Sequence, residues 1–224
     1  MLMTIADLLD SETLSKVHDL LGKANFIDGR LSAGRDAGRV KNNEEMQADE
    51  QLTMQLNQLV MGSLYEHPSF QAAAMPLKLS SAFFARYRKG MSYGRHVDDA
   101  VMGARGGQYR SDVSVSVFLS EPDSYEGGEL IIRTEQGGQS VKLPAGHAVF
   151  YPSGSLHEVA EVTAGERLVA VAWAQSMVKD PQQRAVLYDL YVVKESLLAV
   201  SPDAEAAARA NRAYINLYRQ WAEV

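Results

Sequence analysis

The sequence predicts a mainly β domain, a sandwich or barrel, with helices flanking it at both ends. Three observations predict it. Two-residue alternation runs through 77–88 and again through 112–119. Further short strand candidates follow, separated by Gly and Pro turns at the spacing of a sandwich or barrel. Apolar residues at helical spacing are confined to the two ends of the chain.

A chain of 224 residues is long enough to bury a sizeable core, as one domain or one domain with an appendage. Its formal net charge of −6 argues against non-specific binding to nucleic acid or anionic membrane. It has no cysteine, which excludes disulfides, thiolate metal sites and cysteine nucleophiles and suits a reducing compartment. No basic leader and no apolar run of spanning length are visible, so a cytoplasmic location is expected.

Taken in order, Ser11-Glu12 followed by Leu14, Val17, Leu20 and Leu21 predicts a capped helix stopped near Gly22. The stretch 25–40 is rich in Gly and charge and predicts irregular structure, with room for one short strand. Asn42 or Asn43 is read as the cap of a second helix, whose stripe runs from Met46 through Leu56 and Val60 to about Tyr65. His67-Pro68 ends it, His67 being a turn residue; His18 is assigned an ordinary surface or core-edge place.

In 77–88 the alternation turns Tyr87 inward and Arg86 and Arg88 outward. A Gly-rich mobile loop is expected over 103–109, and a strand over 112–119. Residues 129–133 form a third strand, and Gly137-Gly138 is read as the hairpin turn that follows. Pro144-Ala145-Gly146 makes another turn, with His147 a structural part of it. Residues 157–162 and 167–174 are read as a last pair of strands around Gly165. Asp180-Pro181 and Pro202-Asp203 start two closing helices that carry no catalytic constellation.

The chemistry-bearing residues sit among the strands. His96 and Asp98 lie two apart on extended backbone, so both side chains face one side and can grip one metal ion. Alone, a His-x-Asp pair is weak evidence. His157, at the start of a distant strand, completes a two-histidine, one-carboxylate face of the kind that holds non-haem ferrous iron with open positions. Arg167 alternates with Val169, Val171 and Trp173 on a core-facing edge without a local acidic partner. A buried arginine needs one, and a bound dicarboxylate gripped in two-pronged fashion would serve.

Tyr87, Gly90, His96-x-Asp98, Gly127-Gly128-Glu129-Leu130, His157 and Arg167, in that order, resemble the prolyl-4-hydroxylase-like branch of the Fe(II)/2-oxoglutarate dioxygenases. Within that branch the chain is similar to the PKHD-type hydroxylases, small bacterial proteins associated with iron uptake. The resemblance extends through 118–130 and into the helical tail, covering nearly the whole chain. It implies a double-stranded β-helix (jelly roll) over 1–176 with N-terminal helices, and a C-terminal helical extension over 177–224. It makes His96, Asp98 and His157 the iron ligands and the catalytic centre, with Arg167 on the distal carboxylate of 2-oxoglutarate and Tyr87 touching the cosubstrate. The implied reaction consumes O2 and 2-oxoglutarate, hydroxylates a C–H bond and releases succinate and CO2, with L-ascorbate as an auxiliary cofactor. The substrate is either a prolyl or other peptidyl side chain or a small molecule. One departure stands out: Phe118 occupies a strand position where relatives carry a phenol, and Ser114 and Ser116 on its face are the candidates to replace that contact.

Two other classes stand beside this reading. One is a non-catalytic sensor of iron or 2-oxoglutarate whose C-terminal helices signal to a partner. The other is a cupin-like metal protein, against which Asp98 and Arg167 argue, since cupins favour a glutamate in that motif. Arg86, Arg88, Lys89, Arg95, Arg105 and Arg110 surround the metal motif, either as a solvated rim or to steer an anionic substrate. The apolar residues of the last two helices pack on the barrel, form a homodimer interface or dock a protein substrate. Tyr93 either lines the substrate entrance or packs next to Gly94.

Overall fold

A computed structural model of the chain describes residues 1–134 and 137–224. In chain order its strands and helices are β1 (Met3–Ile5), α1 (Ser11–Leu21), β2 (Phe26–Asp28), β3 (Lys41–Asn42), β4 (Glu44–Met46), α2 (Glu50–Glu66) and α3 (Pro68–Ala74). Then come β5 (Pro76–Leu79), β6 (Phe83–Arg88), β7 (Ser92–His96), β8 (Val101–Met102), β9 (Tyr109–Arg110), β10 (Val113–Phe118) and β11 (Tyr125–Gly127). The rest are β12 (Leu130–Thr134), β13 (Gly137–Val141), β14 (Ala148–Pro152), β15 (His157–Val159), β16 (Val162–Ser176), α4 (Pro181–Val200) and α5 (Glu205–Trp221).

Among the described residues the strands build two facing antiparallel sheets, the jelly roll expected from the sequence. The larger runs β1-β14-β10-β16-β6-β4-β2, with β5 and β11 also paired to β16. The smaller runs β13-β12-β15-β7-β3. The outer face of the larger sheet packs on the N-terminal helices: Phe84, Val113, Val115, Val117 and Ala170 share a core with Val17, Leu56, Val60, Leu64 and Phe70. Between the sheets lies a second core of Ala85, Phe118, Leu130, Ile132, Val149, Val159 and Val169. Both faces of β10 are therefore buried, although Ser114 and Ser116 alternate with its valines. A buried hydroxyl costs free energy unless it finds a partner, so those serines need a polar neighbour inside the barrel.

The helix starts follow capping chemistry. Asp10 accepts from the Thr13 amide at 2.8 Å, Asp49 from the Leu52 amide at 2.9 Å, and Asp180 from the Gln182 amide at 2.7 Å. Asp49, not Asn42 or Asn43, thus starts the second helix. The residues before it form β3 and β4, where Glu44 and Glu45 pair with Arg86 and Ala85 of β6. The helical stripe fitted Met46 by coincidence of spacing. His67-Pro68 ends α2 and also opens the short α3, with proline at its first position.

Two assignments change. Gly137 and Gly138 belong to β13, where they pair with Thr134 and Arg133; the connection itself falls on residues 135–136, outside the described residues. The Gly-rich loop expected over 103–109 is present over 103–108, where it joins the paired β8 and β9. Finally, β15 and β16 do not pair with each other. His157 opposes Ile132 and His96 in the smaller sheet, whereas β16 lies between β10 and β6 in the larger one. In a jelly roll, successive strands pass to opposite sheets, which a hairpin reading of the sequence does not anticipate.

The C-terminal helices cover a third cluster, where Met75, Val178 and Leu187 meet Tyr214, Leu217, Tyr218 and Trp221. Arg184, 4% exposed, donates to the carbonyls of Val178 and Lys179 at 2.7 and 2.9 Å, tying the start of α4 to the turn before it. Among the described residues no helix is long and apolar enough to cross a membrane.

Candidate active site

The cavity between the sheets has a volume of about 560 Å³, and the predicted residues line it from both sides. The smaller sheet contributes His96 and His157, which oppose each other in the register of β7 and β15. Asp98 follows β7. One donor atom from each of the three lies within 4.8 Å of the others, close enough for one ion to bridge them. Asp98 Oδ1 is 3.9 Å from His96 Nε2 and 3.8 Å from His157 Nε2.

The local backbone sets each imidazole. His96 Nδ1 lies 2.8 Å from the Gly94 carbonyl and His157 Nδ1 3.0 Å from the Ser155 carbonyl. A carbonyl only accepts, so each Nδ1 carries the proton and each Nε2 presents a lone pair to the cluster. Burial, and then the neighbouring His157, push His96 down to about 4, so it is neutral and fit to ligate at physiological pH. Tyr93 stacks on His96 with ring centroids 3.7 Å apart and planes 14° apart, and Tyr151 meets His157 edge-on at 5.2 Å. Asp98 and Ser153 supply the polar neighbours that Ser114 of β10 required: its Oγ lies 2.5 Å from Asp98 Oδ2 and 2.8 Å from Ser153 Oγ. Two imidazoles with Nε2 turned to the cluster and one carboxylate, open on the cavity side, fit a ferrous ion.

The larger sheet contributes Arg167, opposite Tyr87 in the register of β16 and β6. Arg167 is 1% exposed, and its Nε and Nη1 find no hydrogen-bond partner among the described residues. Its guanidinium carbon lies 5.1 Å from the Tyr87 ring centre and 5.4 Å from that of Phe118. Burial raises the Tyr87 phenol to about 12 and also lifts that of Tyr125, so both stay protonated donors. An arginine buried among aromatic rings with two unpaired nitrogens is suited to grip an anion. The Gly127-Gly128 pair makes room for it. A side chain at Gly128 would place Cβ 3.1 Å from Arg167 Cδ and 3.0 Å from the Tyr125 ring, and one at Gly127 would lie 2.0 Å from the Glu161 carbonyl oxygen. Both glycines have φ +69°, where side chains are strained in any case.

Sequence reasoning missed several wall residues. Lys41 and Glu45 form a buried ion pair on the cavity wall, with Lys41 Nζ also 3.0 Å from Ser32 Oγ and 5.3 Å from the Tyr93 ring centre. They lie in the segment misread as a loop and helix start, where no pattern marked them. Tyr151 was findable, because alternation through β14 turns it inward with Val149. The basic rim is largely neutralised. Arg86 bonds Glu44 at 2.7 Å, Arg88 bonds Glu166 at 3.0 Å, Arg95 bonds Glu158 at 3.3 Å and Arg110 bonds Asp112 at 2.7 Å. That pattern fits a solvated rim better than a steering field. His147 reaches Asp7 at 3.3 Å and takes no part in the cavity lining.

Comparison with known proteins follows the same residues. A model of the 2OG-Fe(II) oxygenase superfamily matches residues 82–175. A PKHD-type hydroxylase of Thioalkalivibrio sulfidiphilus is 60% identical over all of both chains. A prolyl hydroxylase from Trichoplax adhaerens, solved with a hypoxia inducible factor peptide fragment, shares the fold at a TM-score of 0.57 and 20% identity, over 83% of this chain and 86% of that one. HygX from Streptomyces hygroscopicus, solved with nickel, 2-oxoglutarate and hygromycin B, gives a TM-score of 0.54 and 13% identity over 80% and 84%.

Proposed function

This chain belongs to the PKHD-type hydroxylases of the 2OG-Fe(II) oxygenase superfamily, and from that premise we propose that His96, Asp98 and His157 hold its ferrous ion. As a member it is an Fe(II)- and 2-oxoglutarate-dependent oxygenase, with O2 and 2-oxoglutarate as co-substrates. The observation that carries the residue assignment is the shared cavity: a His/Asp/His face on one sheet and a buried arginine with unmet N–H groups on the other.

Bound together, iron and 2-oxoglutarate supply O2 activation with loss of CO2, leaving succinate and a hydroxylated C–H bond. The protein's part is orientation. His96 and His157 present Nε2 because their Nδ1 protons are committed to carbonyls. Arg167 holds the distal carboxylate, and Tyr87 packs beside that grip and shields it from water. The remaining wall, with Phe83, Val101, Met102, Tyr109 and Trp173, receives the substrate. That substrate is a peptidyl side chain, prolyl in the first instance, or a small molecule of similar size.

L-ascorbate, as the reductant that keeps iron ferrous, is proposed from family resemblance. A cysteine-free chain suits the reducing cytoplasm. The division into a catalytic domain over 1–176 and a helical extension over 177–224 is supported by the separate apolar cluster of the latter. Val186, Val193 and Ile215, at 49%, 51% and 43% exposed, support a homodimer contact through the last two helices.

The test is anaerobic. Fe(II) and then 2-oxoglutarate are added, the visible metal-to-ligand charge-transfer band is recorded, and succinate is assayed after O2 is admitted. The band should vanish in His96→Ala and weaken in Arg167→Ala. A band of wild-type intensity in His96→Ala would remove the ligand assignment.

A further inference from the structure

We propose that Ser114, backed by Ser153, is a positioning residue that makes Asp98 bind the metal through a single oxygen, an inference that rests on the metal assignment above. Ser114 sits in the middle strand of the buried β10 and is 1% exposed; Ser153, just past β14, is also 1% exposed. The Ser114 Oγ is 2.5 Å from Asp98 Oδ2 and 2.8 Å from Ser153 Oγ. A serine hydroxyl owns one proton, and an ionised carboxylate only accepts. The Ser114 proton therefore goes to Asp98, in a short charge-assisted bond, and Ser153 donates to the Ser114 oxygen. The direction of the relay is fixed: Ser153 to Ser114 to Asp98.

The relay makes the two carboxylate oxygens inequivalent. Oδ2 is committed to Ser114, while Oδ1 faces the two imidazole Nε2 atoms at 3.9 and 3.8 Å. A carboxylate closing on the ion with both oxygens would take a position that the chelating cosubstrate and O2 require between them. Holding Oδ2 aside keeps that position open. It also explains a serine at 114 on a strand whose every residue is buried: an apolar replacement would pack, but it would not restrain the carboxylate. Outer partners of this kind typically matter about 10- to 100-fold in metal affinity.

The experiment uses Co(II) as the probe, titrated anaerobically into the full chain without turnover, reading both the dissociation constant and the visible d–d absorption, whose intensity falls as coordination number rises. Ser114→Ala should weaken binding by about 10- to 100-fold and lower the absorption as the freed oxygen closes on the ion. Ser114→Thr, which keeps a hydroxyl, should recover both readouts. Ser153→Ala should weaken binding by about 3- to 10-fold, since it removes only the backing donor. Ser114→Ala binding within about twofold of wild type with an unchanged spectrum would overturn the proposal. If Ser114→Ala fails to fold by circular dichroism, Ser153→Ala decides alone, and wild-type affinity and spectrum there overturn it too. Equal Co(II) binding by wild type and Asp98→Ala is a different failure, because it removes the metal assignment and this inference with it.

Discussion

The two ends of the cavity are finished differently. At the end holding His96, Asp98 and His157, the polar atoms turned away from the cluster are paired, with Gly94, Ser155 and Ser114, and the rings are packed by Tyr93 and Tyr151. At the other end Arg167 is 1% exposed, and its Nε and Nη1 have no partner among the described residues. A cluster of hydrogen-bonded imidazoles and one hydrogen-bonded carboxylate can wait for a cation at modest cost. A buried guanidinium cannot wait cheaply for an anion, because desolvation of an unpaired charge costs several kcal/mol. The fold therefore concentrates its instability around Arg167, and on the proposed assignment a bound dicarboxylate would relieve it.

Breaking that contrast starts with Arg167. Arg167→Met should lower 2-oxoglutarate affinity by about 100-fold, the scale of losing a buried, hydrogen-bonded charge partner, while raising the melting temperature of the unliganded protein. Calorimetric titration and a thermal melt check both halves. A melting temperature that falls by as much as a lost core contact would mean that Arg167 is already paired, and the contrast would be void. A smaller effect belongs to the finished end. Tyr93→Leu removes a stacked ring from His96 and should weaken metal binding by about 2- to 10-fold, the range of an aromatic contact worth about 0.5–1.5 kcal/mol. Anaerobic Co(II) titration reads it, and a 100-fold loss would show that the end is less prepared than its hydrogen bonds suggest. Smallest of all, Arg95→Gln breaks an ion pair with Glu158 in which the arginine side chain is 60% exposed. Its effect on stability should stay within about 0.5 kcal/mol, as for other surface pairs. A denaturant titration showing more would make the rim part of the site after all.

What could be read in the sequence divides along a physical line. The strands carrying the metal and anion residues were legible because each obeys a local rule. Period-two alternation turned Tyr87 inward, the His-x-Asp spacing put both ligands on one side, and an arginine among core-facing valines announced a buried charge. The C-terminal helices announced themselves through Asp180-Pro181 and their apolar stripes. Lys41 and Glu45 were invisible because their burial is decided by β6 and by Tyr93, far along the chain. The pairing of β15 and β16 was misread for the same reason: alternation along a strand says which way side chains point, and nothing about which sheet the strand joins. The short β4 was lost to a competing helical pattern, since Met46 fits the stripe of α2 as well as it fits a strand paired with β6.

The place of β16 has a consequence for how the protein is made. It is the last strand synthesised, yet it fills the middle of the larger sheet, between β10 and β6. Until it emerges from the ribosome, β6 and β10 each present an open edge to the cell, a hazard for mispairing with other chains. The nascent protein can gather both histidines and Asp98 before Arg167 exists to complete the opposite wall. Closing the sheet is then a long-range event, slow by its topology. The wall that carries Arg167 is thus the last part of the barrel to be assembled, and a chain cut short before Val162 would leave His96, Asp98 and His157 with no barrel around them.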